Sequence, residues 1–552
     1  MDIQKELSNT FKGELKIDEA TREFYSHDAS LFELTPEVVG FPKDANDLKA
    51  AVNFVRMHKK EHPGLSITPR SRGTDMSGGA IGQSIVLDVS QHMKKLIKVS
   101  SEQATVQPGM MYKDFEVETL KHGSLLPSYP ASRDLASVGG MMSNNSGGEK
   151  SLEFGKTDNF VTELKMVLSD GNEYTVKPLT RAELDKKMKQ KDFEGKLYKE
   201  TFELLEKHYD EIQKAKPRVS KDSTGYHLWN VWNRETGIFD LTKLFVGAQG
   251  TLGLISEGTV KLVPNREHSG LLVMFLKDIE DLGELIPAVL KHNPATFESF
   301  DDKTLWLSIR FMPSFLKLLG PFRFIRLLFN LIPDGLQLLR GIPKLVLMVE
   351  FNGNTEDEVR QKIRTLHKDL SKYRVRYEIN GFEETPTEGQ SEKFWVMRRY
   401  SFQLLRSKVK DKHTAPFIDD FIVPPENLTF FLPKLRRIIK KYKLFATIAG
   451  HMGDGNFHVI PLMKIEDPKE RAKLEPAMKE VNNLVISYGG SVSGEHNDGM
   501  IRGPWLKEMY GNKVLGLMKD IKHIYDPDNI FNPHKKTDAN WDFSFSHIRK
   551  HF

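Results

Sequence analysis

Two patterns of apolar and polar positions divide the chain. From Val38 to about Val263, short β-rich runs (LSITP, SIVLDV, ELKMVLSD, KLFVGA, GTVKLV) alternate with helical stretches such as NDLKAAVNFVRMHKK. After Pro264 the strand-like GLLVMFL and KLVLMVEF bracket helical material, and NLTFFLPKLRRIIKKYK leads into the strand KLFATIAGH. The tail from Lys507 predicts a helix and then a proline-stopped loop. These patterns predict an α+β protein of two domains, 1–265 and 266–505, followed by a closing segment, 506–552. A charged, helix-like insertion from about Leu179 to Arg218 is expected to lie over the surface with little chemistry of its own.

Length supports the division, because 552 residues exceed the size at which one hydrophobic core usually stops growing. Apolar residues at 39% and charged residues at 28% are ordinary values for a folded chain. With 80 Lys+Arg against 75 Asp+Glu, the net charge of +5 does not imply nucleic-acid binding. No cysteine is present, which excludes disulfides, thiolate-bound zinc and an iron–sulfur cluster held by these residues. The first residues, MDIQKELSNTFKGELKIDEA, lack the apolar core of a secretory signal. No stretch approaches the roughly 18 apolar residues of a spanning helix. A cytoplasmic location is the expectation, with room for peripheral contact on the inner face of a membrane.

Candidate chemistry begins with PRSRGTDMSGGA, Pro69 to Ala80, where glycines sit among small hydroxyls. Bare N–H groups in such a loop can approach a pyrophosphate closely, although a plain turn would read the same way. The loop is neither G-x-G-x-x-G nor a P-loop. Two further stretches follow: PSYPASRDLASVGGMMSNNSGGEKSLEFGKTDNFVTELKMVLSDG, Pro127 to Gly171, and LFVGAQGTLGLISEGTVKLVP, Leu244 to Pro264. In this order the three resemble the FAD-binding fold of the vanillyl-alcohol-oxidase type. The resemblance implies a two-subdomain FAD-binding domain followed by a C-terminal α+β substrate, or cap, domain. It places Arg72, Gly73, Thr74, Asp75, Ser77 and Gly78 at the pyrophosphate, and Pro130, Ser132, Gly140, Ser143, Asn144 and Gly148 near the isoalloxazine. Gly250, Thr251 and Ile255 would flank the adenine and ribose, and Asn532, in DNIFNPHKK, would touch the cofactor. Because the first loop carries neither His nor Cys, the FAD is expected to be non-covalent.

The second half carries AGHMGDGNFHVIP, in which a tight hairpin at Asp454-Gly455 would bring His451 and His458 together. The alternative is a pair of hydrogen-bonded structural imidazoles. Some forty residues on, SVSGEHNDGMIRGPWL adds Glu495 and His496. Two imidazoles and a carboxylate can hold a divalent ion, zinc, manganese or iron, with one position open. Both motifs resemble the branch of glycolate oxidase, D-lactate dehydrogenase and D-2-hydroxyglutarate dehydrogenase. By that resemblance His451, His458 and Glu495 bind the metal, while Asn456 and His496 face the substrate, His496 as base. Arg398 matches the arginine that follows tryptophan in those relatives and would clamp a carboxylate, with Lys412 and His413 behind it. Ile418 stands where relatives carry a lysine.

A basic, apolar stretch from Leu305 to Lys344 fits helices lying in a membrane interface, or else a buried helical lid with a solvated edge. The reading that unites these features is FAD-dependent oxidation of a small D-2-hydroxy acid to its 2-keto acid. Electrons would pass to a quinone or a carrier protein, with an iron–sulfur partner chain as a further possibility. The alternatives are an alcohol or sugar oxidase or lipid-precursor synthase on the same flavin fold, and a non-catalytic flavin-bearing electron-transfer subunit.

Overall fold

The structure, a computed structural model, describes residues 1–278, 282–310, 320–322, 324–325, 342–408 and 412–550. Three sheets carry the site. The first orders Glu14–Lys16, Val38–Phe41, Ile85–Asp88 and Ile67–Arg70, parallel except for its first strand. Helix Ala45–His58, capped by Asp44, buries Leu48, Val52 and Val55 in the same core as Ile67 and Ile85. The loop that leaves the C-terminal end of Ile67–Arg70 is the first glycine-rich segment.

The second sheet is antiparallel, in the order Leu96–Val99, Gln103–Val106, Leu254–Lys261, Val161–Val167, Glu173–Val176. Strand Leu254–Lys261 alternates buried and more exposed residues along its length, the period-two signature of a sheet with one covered face. KLFVGA, expected as a strand, forms helix Thr242–Phe245 instead. Asp240 accepts from the Thr242 amide and hydroxyl at 2.9 and 2.6 Å, starting a turn that drives Leu244 and Phe245 into the core. Tertiary burial therefore overrides β-propensity at this site.

The third sheet runs Ile379–Thr385, His268–Leu276, Leu345–Gly353, Thr296–Asp301, Phe445–His451, Asn456–Met463 and His413–Thr414, with Phe421–Ile422 also paired to Asn456–Met463. Leu345–Gly353 is buried at every residue, as a central strand covered on both faces must be. One face packs Leu272, Met274, Leu347 and Val349 into the main core with helices Glu356–Leu370, Leu428–Lys441 and Leu474–Ser487. Across the other, Leu271, Val273, Phe300, Val346 and Met348 meet Phe394, Trp395 and Met397 of helix Glu388–Lys408. This second face ends in polar side chains that line a cavity.

The closing segment packs on the N-terminal half. Helix Leu506–Tyr525 buries Val514, Met518 and Tyr525 in the core of the second sheet, and Ile67 donates to the Ile530 carbonyl at 2.8 Å. Among the described residues, no helix is long and apolar enough to cross a membrane. Most of the stretch proposed for a membrane interface, 305–344, lies outside the described residues.

Candidate active site

A cavity of about 2010 Å³ separates the N-terminal loops from the polar end of the third sheet. Its wall includes Arg72, Gly73, Thr74, Asp75, Pro130, Ser132, Gly140, Ser143, Asn144, Gly250 and Ile255 on one side. Arg398, His451, His458, Glu495 and His496 line the other. Gly73 and Gly250 both have positive φ, and a Cβ at either would collide with Arg70 or Pro69. Only glycine leaves these turns open.

Six residues expected to touch ligands do not line the cavity; they hold the loops that do. Ser77 is fully buried, donating to Asp75 and accepting from Gln249 at 2.8 and 2.9 Å. Gly78 backs onto Phe32 and Met500, and Gly148 onto the Tyr129 carbonyl. Thr251 spans Tyr226 and the Ala248 carbonyl, both at 2.7 Å. Asn532 donates to the Gly79 and Gln249 carbonyls at 2.8 and 2.7 Å, tying the first and third glycine-rich loops together. Asn456, also fully buried, donates to Asp420 and the Phe421 carbonyl at 3.2 and 3.0 Å. His413 pairs with Glu466 at 3.1 Å and does not line the cavity.

The hairpin at Asp454-Gly455 is present, with His451 opposite Asn456 and Ala449 opposite His458. Paired residues share a face of the sheet, so both imidazoles point into the cavity. Glu298, opposite His451 on the neighbouring strand, accepts from His451 Nδ1 at 2.5 Å. Asp419 accepts from His458 Nδ1 at 3.0 Å and from His496 Nδ1 at 2.7 Å. These carboxylates hold Nδ1–H on all three rings, so the neutral form of each presents its Nε2 lone pair. The two Nε2 atoms approach Glu495 at 3.2 and 3.7 Å.

Donor atoms of Asp420, His458, Glu495 and His496 also lie within 4.8 Å of one another. Asp420 is already occupied, however: it accepts from the Glu495 and His496 amides, Ser493 Oγ and Asn456. Without Asp420 that group is His458, Glu495 and His496; His451 Nε2 also reaches Glu495, at 3.2 Å, so the imidazoles and Glu495 together offer a donor set suited to a divalent ion.

The electrostatics are those of a site built around positive charge. Burial opposes ionisation of Glu495, but His451 and Lys221 outweigh it and hold the carboxyl well below its usual range. Burial likewise opposes charge on His451 and His496. Glu298 and Glu495 raise the first, and Asp420 and Asp419 the second, each to about 9.

Lys221, almost wholly buried, pairs with Glu495 and with Asp454, the latter at 3.2 Å. Sequence reasoning missed Glu298, Asp419, Asp420 and Lys221, which reach the site from a separate strand, a strand entrance and a loop after the charged insertion. Arg398 does reach the cavity, with Nε and one terminal nitrogen on Glu298 at 3.2 Å. It therefore braces the carboxylate that orients His451.

The residues on the opposite wall fit a flavin dinucleotide. Asn144 Oδ1 is buried without a partner among the described residues, beside a loop of small side chains. Asn144 itself is fixed by donating to the Glu495 carbonyl at 2.9 Å, which couples the two walls.

Comparison with known proteins agrees with this division. The chain is 28% identical over 532 residues to D-2-hydroxyglutarate dehydrogenase of Pseudomonas putida, spanning 95% of this chain and 50% of that protein. It is 26% identical over 527 residues to glycolate oxidase subunit GlcD of Bacillus subtilis, spanning 94% and 92%. The chain thus spans about half the length of the D-2-hydroxyglutarate dehydrogenase it matches. Solved structures of alkyldihydroxyacetonephosphate synthase (TM-score 0.64, 16% identity, 96% of this chain and 84% of that one) and p-cresol methylhydroxylase (0.64, 14%, 96% and 94%) share its fold. Residues 36–177 match the FAD binding domain family, and residues 265–536 the C-terminal domain of FAD linked oxidases. The chain belongs to the FAD-linked oxidoreductases of the vanillyl-alcohol-oxidase type, with an N-terminal FAD-binding domain and a C-terminal FAD-oxidase domain.

Proposed function

We propose that the chain oxidises a small D-2-hydroxy acid, lactate- or glycolate-like, to the 2-keto acid. The observation that carries the reading is the constellation on the cavity wall. Two imidazoles, oriented by Glu298 and Asp419, face Glu495, and a third, His496, stands beside them on the same aspartate. D stereochemistry follows the relatives, whose names include D-2-hydroxyglutarate and D-lactate dehydrogenases.

His451, His458 and Glu495 would hold a divalent metal, which when bound supplies Lewis-acid stabilisation of the substrate alkoxide. His496, its Nδ1–H held by Asp419, would in its neutral form offer Nε2 to the alcohol proton. Arg398, braced by Glu298, adds positive charge to the wall beside the substrate carboxylate. FAD would be held non-covalently by the glycine-rich loops and accept the C2 hydride. Electrons would then leave to a quinone or a carrier protein, an iron–sulfur partner chain included.

The test is anaerobic bleaching of the flavin by D- and L-2-hydroxy acids, with and without prior chelation. Bleaching by one enantiomer, abolished by the chelator and restored by a divalent ion, is the expected result. Bleaching that ignores the chelator would overturn the metal site, and the absence of bleaching by any acid would overturn the reaction.

A further inference from the structure

The polar end of the third sheet extends beyond the histidine site. Strand register places Glu298 opposite Met348 and Thr296 opposite Glu350. Glu350 is therefore the diagonal neighbour of Glu298 on the same face, about 7–8 Å away along the sheet. Next on that face is Asn352, which also lines the cavity. A substrate anchored at His451 and His458 and long enough to follow the sheet past Glu298 would bring its far end to this pair.

Glu350 is 7% exposed and lines the cavity, and its carboxylate has no hydrogen-bond or ion-pair partner among the described residues. The nearby cation Arg399 is engaged by Glu149, with contacts of 3.0 and 2.6 Å. Lys150 also lines this part of the cavity, as does Glu388. The Glu350 carboxylate is therefore reached from the cavity, where a ligand can supply the donor that the neighbouring side chains do not. Burial, opposed by Lys150 and reinforced by Glu149, raises the Glu350 carboxyl to about 7. A second carboxylate placed here would meet the acids Glu350, Glu149 and Glu388 against Lys150 and an Arg399 already engaged by Glu149, an excess of like charge that disfavours it.

We infer that Glu350, with Asn352, forms a specificity subsite that accepts a 2-hydroxy acid whose far end carries a neutral hydrogen-bond donor, a hydroxyl or primary amide, and that disfavours a far carboxylate. The inference rests on the hydroxy-acid reading above and adds the class of tail to it.

The holoenzyme is assayed with 2-hydroxy acids of one chain length ending in amide, hydroxyl, methyl or carboxylate. The matching 2-keto acids are titrated in parallel through the perturbation of the flavin spectrum, which reads binding without turnover. The expected order has amide and hydroxyl tails binding at least tenfold more tightly than methyl or carboxylate. Glu350→Leu is expected to collapse the amide-over-methyl preference, and Glu350→Gln to improve the carboxylate tail.

A carboxylate tail favoured by the unaltered enzyme, or an amide preference that survives Glu350→Leu, overturns the subsite. So does failure of every keto acid to perturb the flavin. Lactate separates the two ideas: if it bleaches the flavin while the tail preferences are absent, the reaction stands and the subsite falls.

Discussion

Asp419 is the residue on which the imidazole geometry depends most. Its two oxygens serve different rings, His458 and His496, and it is itself 2% exposed. Burial opposes its charge, but His496 and His458 hold the carboxyl far below the usual range. An asparagine has one acceptor oxygen, so Asp419→Asn leaves one imidazole without its orienting partner. Flavin reduction in that variant is expected to fall about 10–100-fold, with weakened retention of divalent metal, measured by stopped-flow absorbance and elemental analysis. A variant with unchanged rate and metal content would remove Asp419 from the orienting role.

Glu350 makes a separate prediction through linkage. Its folded pKa of about 7 lies above the ordinary 4.5, so the native chain holds this proton more tightly than the unfolded chain does. The contribution is complete at low pH and is lost as pH rises from about 4.5 to about 7. Glu350→Gln removes the dependence, so its unfolding free energy relative to the parent should shift in its favour by up to about 3 kcal/mol between acid pH and pH 8. Chemical denaturation at both pH values reads this shift. A flat difference would mean that the carboxyl titrates as it does in the open chain.

At the level of elements, the hairpin Phe445–Met463 was legible because its turn chemistry is local. Asp454-Gly455 between two β-rich runs specifies a reversal, and Gly455 takes φ 72°. A Cβ there would collide with the Val423 carbonyl. Gly455→Ala should therefore cost about 1–3 kcal/mol and disturb the His451–Asn456 end of the pair, seen as a lower melting temperature with slowed flavin reduction. An alanine variant of parental stability and rate would show that the turn relaxes freely.

The supporting carboxylates were not legible, because each acts through long-range strand pairing. Nothing near Glu298 in sequence says that it will lie opposite His451, 153 positions away. The charged insertion is expected to carry little chemistry, and its helices do lie between Arg181 and Ala215. Yet the loop just after it delivers Lys221 to Glu495, a contact spanning 274 positions. Glycine-rich loops announce themselves through composition, whereas Ser77, Thr251 and Asn532, in or beside the same motifs, turn inward to brace neighbouring loops.

For the whole molecule, the cavity gathers wall residues from across the chain, from Phe24 through Ile255 to His496, and the closing segment braces it through Asn532. A ligand filling this space contacts the N-terminal loops and the third sheet together, so its binding energy acts on both. Among the described residues Asn144 Oδ1 has no partner, and the loops around Gly73 and Gly250 line the cavity. Protein stripped of flavin should therefore melt lower than the holoprotein. FAD restored at a free concentration 100 times its dissociation constant should add about 2.7 kcal/mol to unfolding. Trp229 and Trp232 lie in the core of the second sheet, while Trp395 and Trp505 lie in cores of the C-terminal half. Single-tryptophan variants can therefore follow the two sides independently. Both signals should move upward together with FAD, because one ligand bridges both walls. A shift confined to the N-terminal signal would place the stabilising contacts in the glycine-rich loops alone and leave the third sheet to the substrate.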